Sequence, residues 1–139
     1  QILVNNRSVP HFKLDSVSVL DGDVKLRKSV KINAITLPTL MGQFSPELEF
    51  LSYVKALLNE QYSQSMNELI SRGITTDHLE RVILKNAPED TNRSEMKNWY
   101  NSLDSKLRRD ILKLWIKDNR QNVDLFCNDL ISAIQRVQH

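Results

Sequence analysis

The chain has 139 residues, 40% of them hydrophobic and 26% charged, with three Gly, four Pro and a net charge of only +2. That is the length of one ordinary domain, too apolar for a disordered chain and too poor in Gly and Pro for a loop-rich sandwich. The lone cysteine, Cys127, excludes an intramolecular disulfide and fits a reducing, intracellular setting, and no apolar run reaches the ~18 residues of a membrane helix. The chain opens on Gln1 without a signal-peptide pattern, as expected of a piece of a longer protein.

From the N-terminus, residues 1–11 carry little pattern. Two alternating runs follow, Phe12–Leu20 and Val24–Ile32, separated by Asp21-Gly22-Asp23. Alternation marks half-buried strands, and Asp-Gly is a strong turn signal, so the pair predicts a β-hairpin. A two-residue loop would set Val17 and Val19 opposite Leu26 and Val24. A three-residue loop gathers seven apolar residues on one face, Phe12, Leu14 and Leu20 with Val24, Leu26, Val30 and Ile32, and is the preferred register. Its other face then shows Lys13, Lys25, Arg27 and Lys31. Such a hairpin is marginal alone and must pack on helices or pair with Ile35–Leu37. Asp21 and Asp23 together could chelate a cation, but two carboxylates at a hairpin tip are ordinary turn formers.

Residues 33–44 form a connector. Ser45-Pro46-Glu47 then starts a helix: an N-cap serine, proline at the first helical position and an acid in the first turn. Leu51, Val54, Leu58, Met66, Leu69 and Ile70 recur at helical spacing up to Arg72, and Gly73 supplies a C-terminal stop. A shorter helix begins at Thr75-Thr76-Asp77, with Asp77 and Glu80 at capping-box spacing and Leu79, Val82 and Ile83 as its stripe. Residues 86–90 break the chain. Thr91 or Asn92 caps a helix through Met96, Trp99, Tyr100 and Leu103.

The stretch Leu103–Arg120 carries an unusually broad apolar surface. Leu103, Leu107, Ile111 and Leu114 make one stripe, and Leu112, Trp115 and Ile116 carry the apolar surface past half the circumference. This reads as the central helix of the fold. A last helix from near Asn122 bears Val123, Phe126, Leu130, Ile134 and Val137. The expected architecture is α+β and mainly helical, an N-terminal β-hairpin packed on a bundle of about five α-helices. It forms one domain over 1–139, with hairpin and connector at 1–44 and the bundle at 45–139. Its core should include Leu51, Val54, Leu58, Leu69, Val82, Trp99, Leu103, Leu107, Ile111, Leu114, Trp115, Phe126, Leu130 and Ile134.

Chemistry is sparse. The glycines are isolated, so no phosphate cradle exists, and His11, His78 and His139 share no ligand spacing with Cys or carboxylates. Cys127, beside Phe126, reads as a buried small hydrophobe, and the pair Glu47/Glu49 as complements to the helix dipole. The residues therefore point away from an enzyme, a cofactor, a metal and a small-molecule substrate.

Two functions fit what remains. The first is a non-enzymatic protein–protein interaction or assembly module, its partner another protein or a second copy. Leu112 and Ile116, one turn apart on the over-wide apolar arc, with Tyr100 as an aromatic anchor, form its contact set. The second is nucleic-acid or other polyanion binding. Lys106, Arg109, Lys113, Lys117 and Arg120 line the remaining arc of the helix, with a further cluster at Lys25, Arg27, Lys28 and Lys31. Charge runs in blocks: residues 1–44 hold six Lys/Arg against three Asp/Glu, 45–90 four against eight, and 91–139 nine against six. Asp104, Asp110 and Asp118 in the same helix weigh against polyanion binding.

Overall fold

The computed structural model describes residues 18–23, 34–89 and 92–137. In chain order these form strands β1 (Ser18–Leu20) and β2 (Ala34–Thr36), then helices α1 (Pro46–Leu58), α2 (Ser63–Ser71) and α3 (Thr76–Leu79). α3 runs on into one π-helical turn, Glu80–Leu84, closed by the Lys85 N–H donating to the Glu80 carbonyl at 2.9 Å. Helices α4 (Arg93–Ser102), α5 (Ser105–Asp118) and α6 (Arg120–Val137) complete the fold, which is α+β and mainly helical.

The described strand pair is parallel, with Val19 opposite Ile35 and Leu20 opposite Thr36. The Leu37 N–H extends the pairing by donating to the Leu20 carbonyl at 2.7 Å. This is the pairing with Ile35–Leu37 expected of the first run, and its direction is parallel. The antiparallel pairing expected across Asp21-Gly22-Asp23 falls on residues outside those described. The greater part of both predicted runs, 12–17 and 24–32, lies outside the described residues. So do the two competing registers and Lys25, Arg27, Lys28 and Lys31. The turn itself forms, and Gly22 is required there: a Cβ would come within 2.7 Å of the Phe44 carbonyl oxygen and 2.4 Å of Thr39 Cγ2.

One helix expected between Ser45 and Arg72 is two. α1 ends at Leu58, and Glu60 takes a left-handed conformation with φ 61°. The Glu60 N–H then donates to the Leu57 carbonyl at 3.3 Å and the Gln61 N–H to the Ala56 carbonyl at 3.1 Å. This is a Schellman motif. The same pair of bonds closes α2, from the Gly73 N–H to the Ile70 carbonyl at 2.9 Å and from the Ile74 N–H to the Leu69 carbonyl at 3.0 Å, with Gly73 at φ 88°. The second stop was legible because glycine tolerates that backbone. The first was not, because glutamate occupies it against its own preference.

Caps fix the remaining boundaries. Thr75, not Asp77, caps α3, its hydroxyl accepting from the His78 N–H at 3.1 Å. Asn92 caps α4 through the Glu95 N–H at 3.0 Å. Asp104 accepts from the Leu107 N–H at 3.0 Å, so Leu103 closes α4 and α5 begins only at Ser105. Asn119 then separates α5 from α6, which starts at Arg120, two residues before the expected Asn122.

The core collects Leu51, Val54, Leu69, Trp99, Leu103, Leu107, Ile111 and Leu114 as expected, together with Phe50, Tyr53, Leu57, Met66, Leu79, Ile83 and Met96. The most enclosed helix is α1 rather than α5, since Phe50, Leu51, Tyr53, Val54, Ala56 and Leu57 are all buried. It packs against α2, α4, α5 and the π turn. Leu58, Val82 and Trp115 are only partly buried. Phe126 and Leu130 are likewise partly covered, and Ile134 is 42% exposed. α6 departs from expectation because it packs mainly on β2 and α5 and buries only Ala133 completely.

Candidate functional site

α1, α5, α6 and the 37–46 connector meet around a half-open cleft of about 320 Å³. Its floor is α1, which contributes Phe50 and Tyr53. α5 supplies Leu112, Trp115 and Ile116, α6 supplies Val123, Phe126 and Cys127, and Leu37, Pro38 and Phe44 close the connector side. The lining is almost entirely apolar. The sequence explains why the space exists. α5 has apolar residues on two adjacent arcs, and the arc of Leu107, Ile111 and Leu114 is consumed by the core. The arc of Leu112, Trp115 and Ile116 therefore faces a second neighbour, and α6 only partly covers it.

The three residues predicted as a contact set come together here: Tyr100, Leu112 and Ile116 all line the cleft. Ile116 is 39% exposed at its rim, while Leu112 is partly buried against the core. Tyr100 is held firmly. Its ring meets Phe50 edge-on at 5.2 Å, the Arg108 guanidinium stacks 4.9 Å above it, and Arg108 Nη1 donates to the Tyr100 carbonyl at 2.8 Å. Burial raises the Tyr100 pKa above its usual value, Arg108 opposing and Glu47 reinforcing the shift.

Among the described residues the one charge in the wall, Glu49, is only 5% exposed and fully engaged. Its carboxylate accepts from the Leu40 N–H at 3.0 Å, the Met41 N–H at 3.0 Å and the Trp115 indole N–H at 2.6 Å. Glu49 thus ties the connector to α1 and α5. Glu49 keeps its expected place in the first turn of α1, and its side chain is in addition a tertiary tie, invisible in sequence because its donors lie 8, 9 and 66 residues away. The connector's other anchor is Asn122 Nδ2, donating to the Thr39 carbonyl at 3.1 Å.

Cys127 is exposed on the cleft wall and not buried as expected. It lies beside Phe126 on an apolar helix face whose far edge, Ile131 and Ile134, is also open. The cleft role of Phe44, Phe126 and Cys127 escaped the sequence reading, because apolar periodicity marks a buried face and a groove-lining face identically.

The stripe residues of α5, Lys106, Arg109, Lys113 and Lys117, are exposed. Lys117 pairs with Glu68 at 3.5 Å, and Arg120 at the head of α6 pairs with Asp124 at 3.4 Å. Asp110 is taken by Arg72 at 3.3 Å. Lys106, Arg109 and Lys113 make no ion pair among the described residues. Asp118 faces inward, accepting from the Tyr53 hydroxyl at 2.5 Å and the Ser65 hydroxyl at 2.7 Å.

Among the described residues no group of three or more His, Cys, Asp and Glu is placed to hold a metal ion, and no helix is long and apolar enough to cross a membrane. Comparisons with protein-family models, with curated proteins and with solved structures find no match to this chain.

Proposed function

We propose that this protein is a non-enzymatic protein-interaction or assembly module whose docking site is the apolar cleft walled by Tyr100, Leu112, Ile116, Phe126 and Cys127. The observation that carries this reading is the convergence of Tyr100, Leu112 and Ile116, from two helices, on one apolar opening of about 320 Å³. That volume lies at the low end of the ~300–1,000 Å³ typical of ligand pockets. An opening of this size, unroofed along one side, suits the anchoring side chains of a partner protein better than an enclosed small molecule. The rigid setting of Tyr100 between Phe50 and Arg108 lowers the entropic cost of using it as an anchor.

The test uses two cleft variants, Ile116→Ser at the rim and Cys127→Trp to fill the space. Both residues are exposed, so helical circular dichroism should be unchanged. Affinity capture and sedimentation should find a partner, or a second copy, bound by the wild-type protein and released by both variants. Retention of every bound protein by both variants would overturn the reading. Polyanion binding through the α5 stripe has weaker support, because two of its five cations are already paired with Glu68 and Asp124.

A further inference from the structure

The cleft and the basic stripe are neighbours on one helix. Ile116 lies at the cleft rim. Lys113 and Arg109 precede it by three and seven residues, which places them along the same side of α5 one and two turns away. Arg109 is likewise three residues before Leu112. The acids that could neutralise this edge are engaged elsewhere: Asp110 and Glu68 hold Arg72, and Glu68 also holds Lys117. Lys106, Arg109 and Lys113 therefore form an exposed cationic edge, uncompensated among the described residues, bordering an almost wholly apolar opening. Their spacings of three and four residues repeat at about one helical turn.

Resting on the docking reading above, we propose that the occupant of the cleft is an acidic amphipathic helical segment of a partner protein. Its apolar side chains enter between Ile116, Phe126 and Tyr100. Its Asp or Glu residues, spaced one turn apart, lie against Lys106, Arg109 and Lys113. An apolar groove gives affinity without choosing among apolar helices, and the flanking charge selects those with acids beside the anchors and speeds their encounter. A nucleic acid would satisfy the cations but leave the groove exposed to water, so the pairing of the two features favours the protein segment.

The experiment measures fluorescence anisotropy of a labelled synthetic helix of about five turns, with Leu one turn apart on one face and Glu on its flanks. The same helix with Lys in place of Glu, and an oligouridylate, serve as comparisons. The receptors are the wild-type protein, Arg109→Glu/Lys113→Glu, and the cleft variants Ile116→Ser and Cys127→Trp. The expected result is that the Glu helix binds at least roughly tenfold tighter than the Lys helix, and loses that margin as salt is raised. Charge reversal should invert the preference, and either cleft variant should weaken binding. If both helices bind alike and only the cleft variants weaken them, the acidic partner is wrong and the docking site stands. If the oligouridylate binds as well as the Glu helix, and the cleft variants change nothing, the edge is a general polyanion surface and both proposals fail. If neither helix binds up to roughly 1 mM, the acidic-helix proposal is overturned, and the docking site is decided by the capture experiment alone.

Discussion

The indole N–H of Trp115 donates to the buried carboxylate of Glu49 across 66 residues of sequence, at 2.6 Å. The same carboxylate receives the backbone N–H groups of Leu40 and Met41, so one side chain joins α1, α5 and the connector that walls the cleft. Hydrogen bonds to a charged, buried acceptor contribute more than neutral ones, and leaving their donors unpaired costs more still. Glu49→Gln places an amide among N–H donors and should destabilise the fold by roughly 1–3 kcal/mol. A double-mutant cycle with Trp115→Phe, followed by urea unfolding, should show a coupling of the same order. Additive losses would mean that the bond carries no stability of its own.

The two Schellman stops make a matched pair. Glu60 holds φ 61° without glycine's freedom, so Glu60→Gly should raise stability by about 1 kcal/mol. At Gly73 an added Cβ meets nothing within 4 Å, so Gly73→Ala should lose about 1 kcal/mol through backbone strain alone. Chemical denaturation of both variants checks the signs. If Glu60→Gly destabilises, the left-handed turn after α1 is not the resting conformation.

Leu107 and Leu114 sit on the fully packed side of α5, Ile116 on the open side. Leu107→Ala and Leu114→Ala should each cost roughly 2–5 kcal/mol. Ile116→Ser should cost far less, because much of the side chain is already in water. Equal losses at all three, measured by unfolding, would place the cleft on the wrong face of the helix.

Alkaline pH should unfold the protein through Tyr53. Burial first, then the hydrogen bond to the Asp118 carboxylate, raise its pKa far above the usual tyrosine value, against a smaller lowering from Ser65. Burial also raises Tyr62 and Tyr100. A folded pKa above the unfolded one of about 10 gives stability that is complete below that pH and is lost progressively above it. Ultraviolet titration should show Tyr53 ionising together with unfolding. In Tyr53→Phe the alkaline loss should be shallower, and an unchanged slope would assign it to other groups.

Local chemistry decided much of this protein from its sequence. Ser45-Pro46, Gly73 and the Thr91-Asn92 pair act within one turn of chain, so the ends of α1, α2 and α4 that they mark were legible to within a residue. Ser45, however, takes the N-cap position without a side-chain bond, and Asn92 rather than Thr91 is the cap of α4. Leu107, Ile111 and Leu114 repeat at helical period, so their burial in a mainly helical fold was legible too. Leu112 and Ile116 stood out only as apolar surplus and Tyr100 only as a conspicuous aromatic; that they share one opening depends on the angle at which α5, α4 and α6 meet, which no local pattern encodes. The parallel pairing of β1 with β2 was decided by the tertiary structure, because alternation marks a strand but not the direction of its neighbour. Glu49 shows the same limit most plainly. On the helix wheel it is a first-turn acid; only folding brings Leu40, Met41 and Trp115 around it and makes that charge the tie that shapes the cleft.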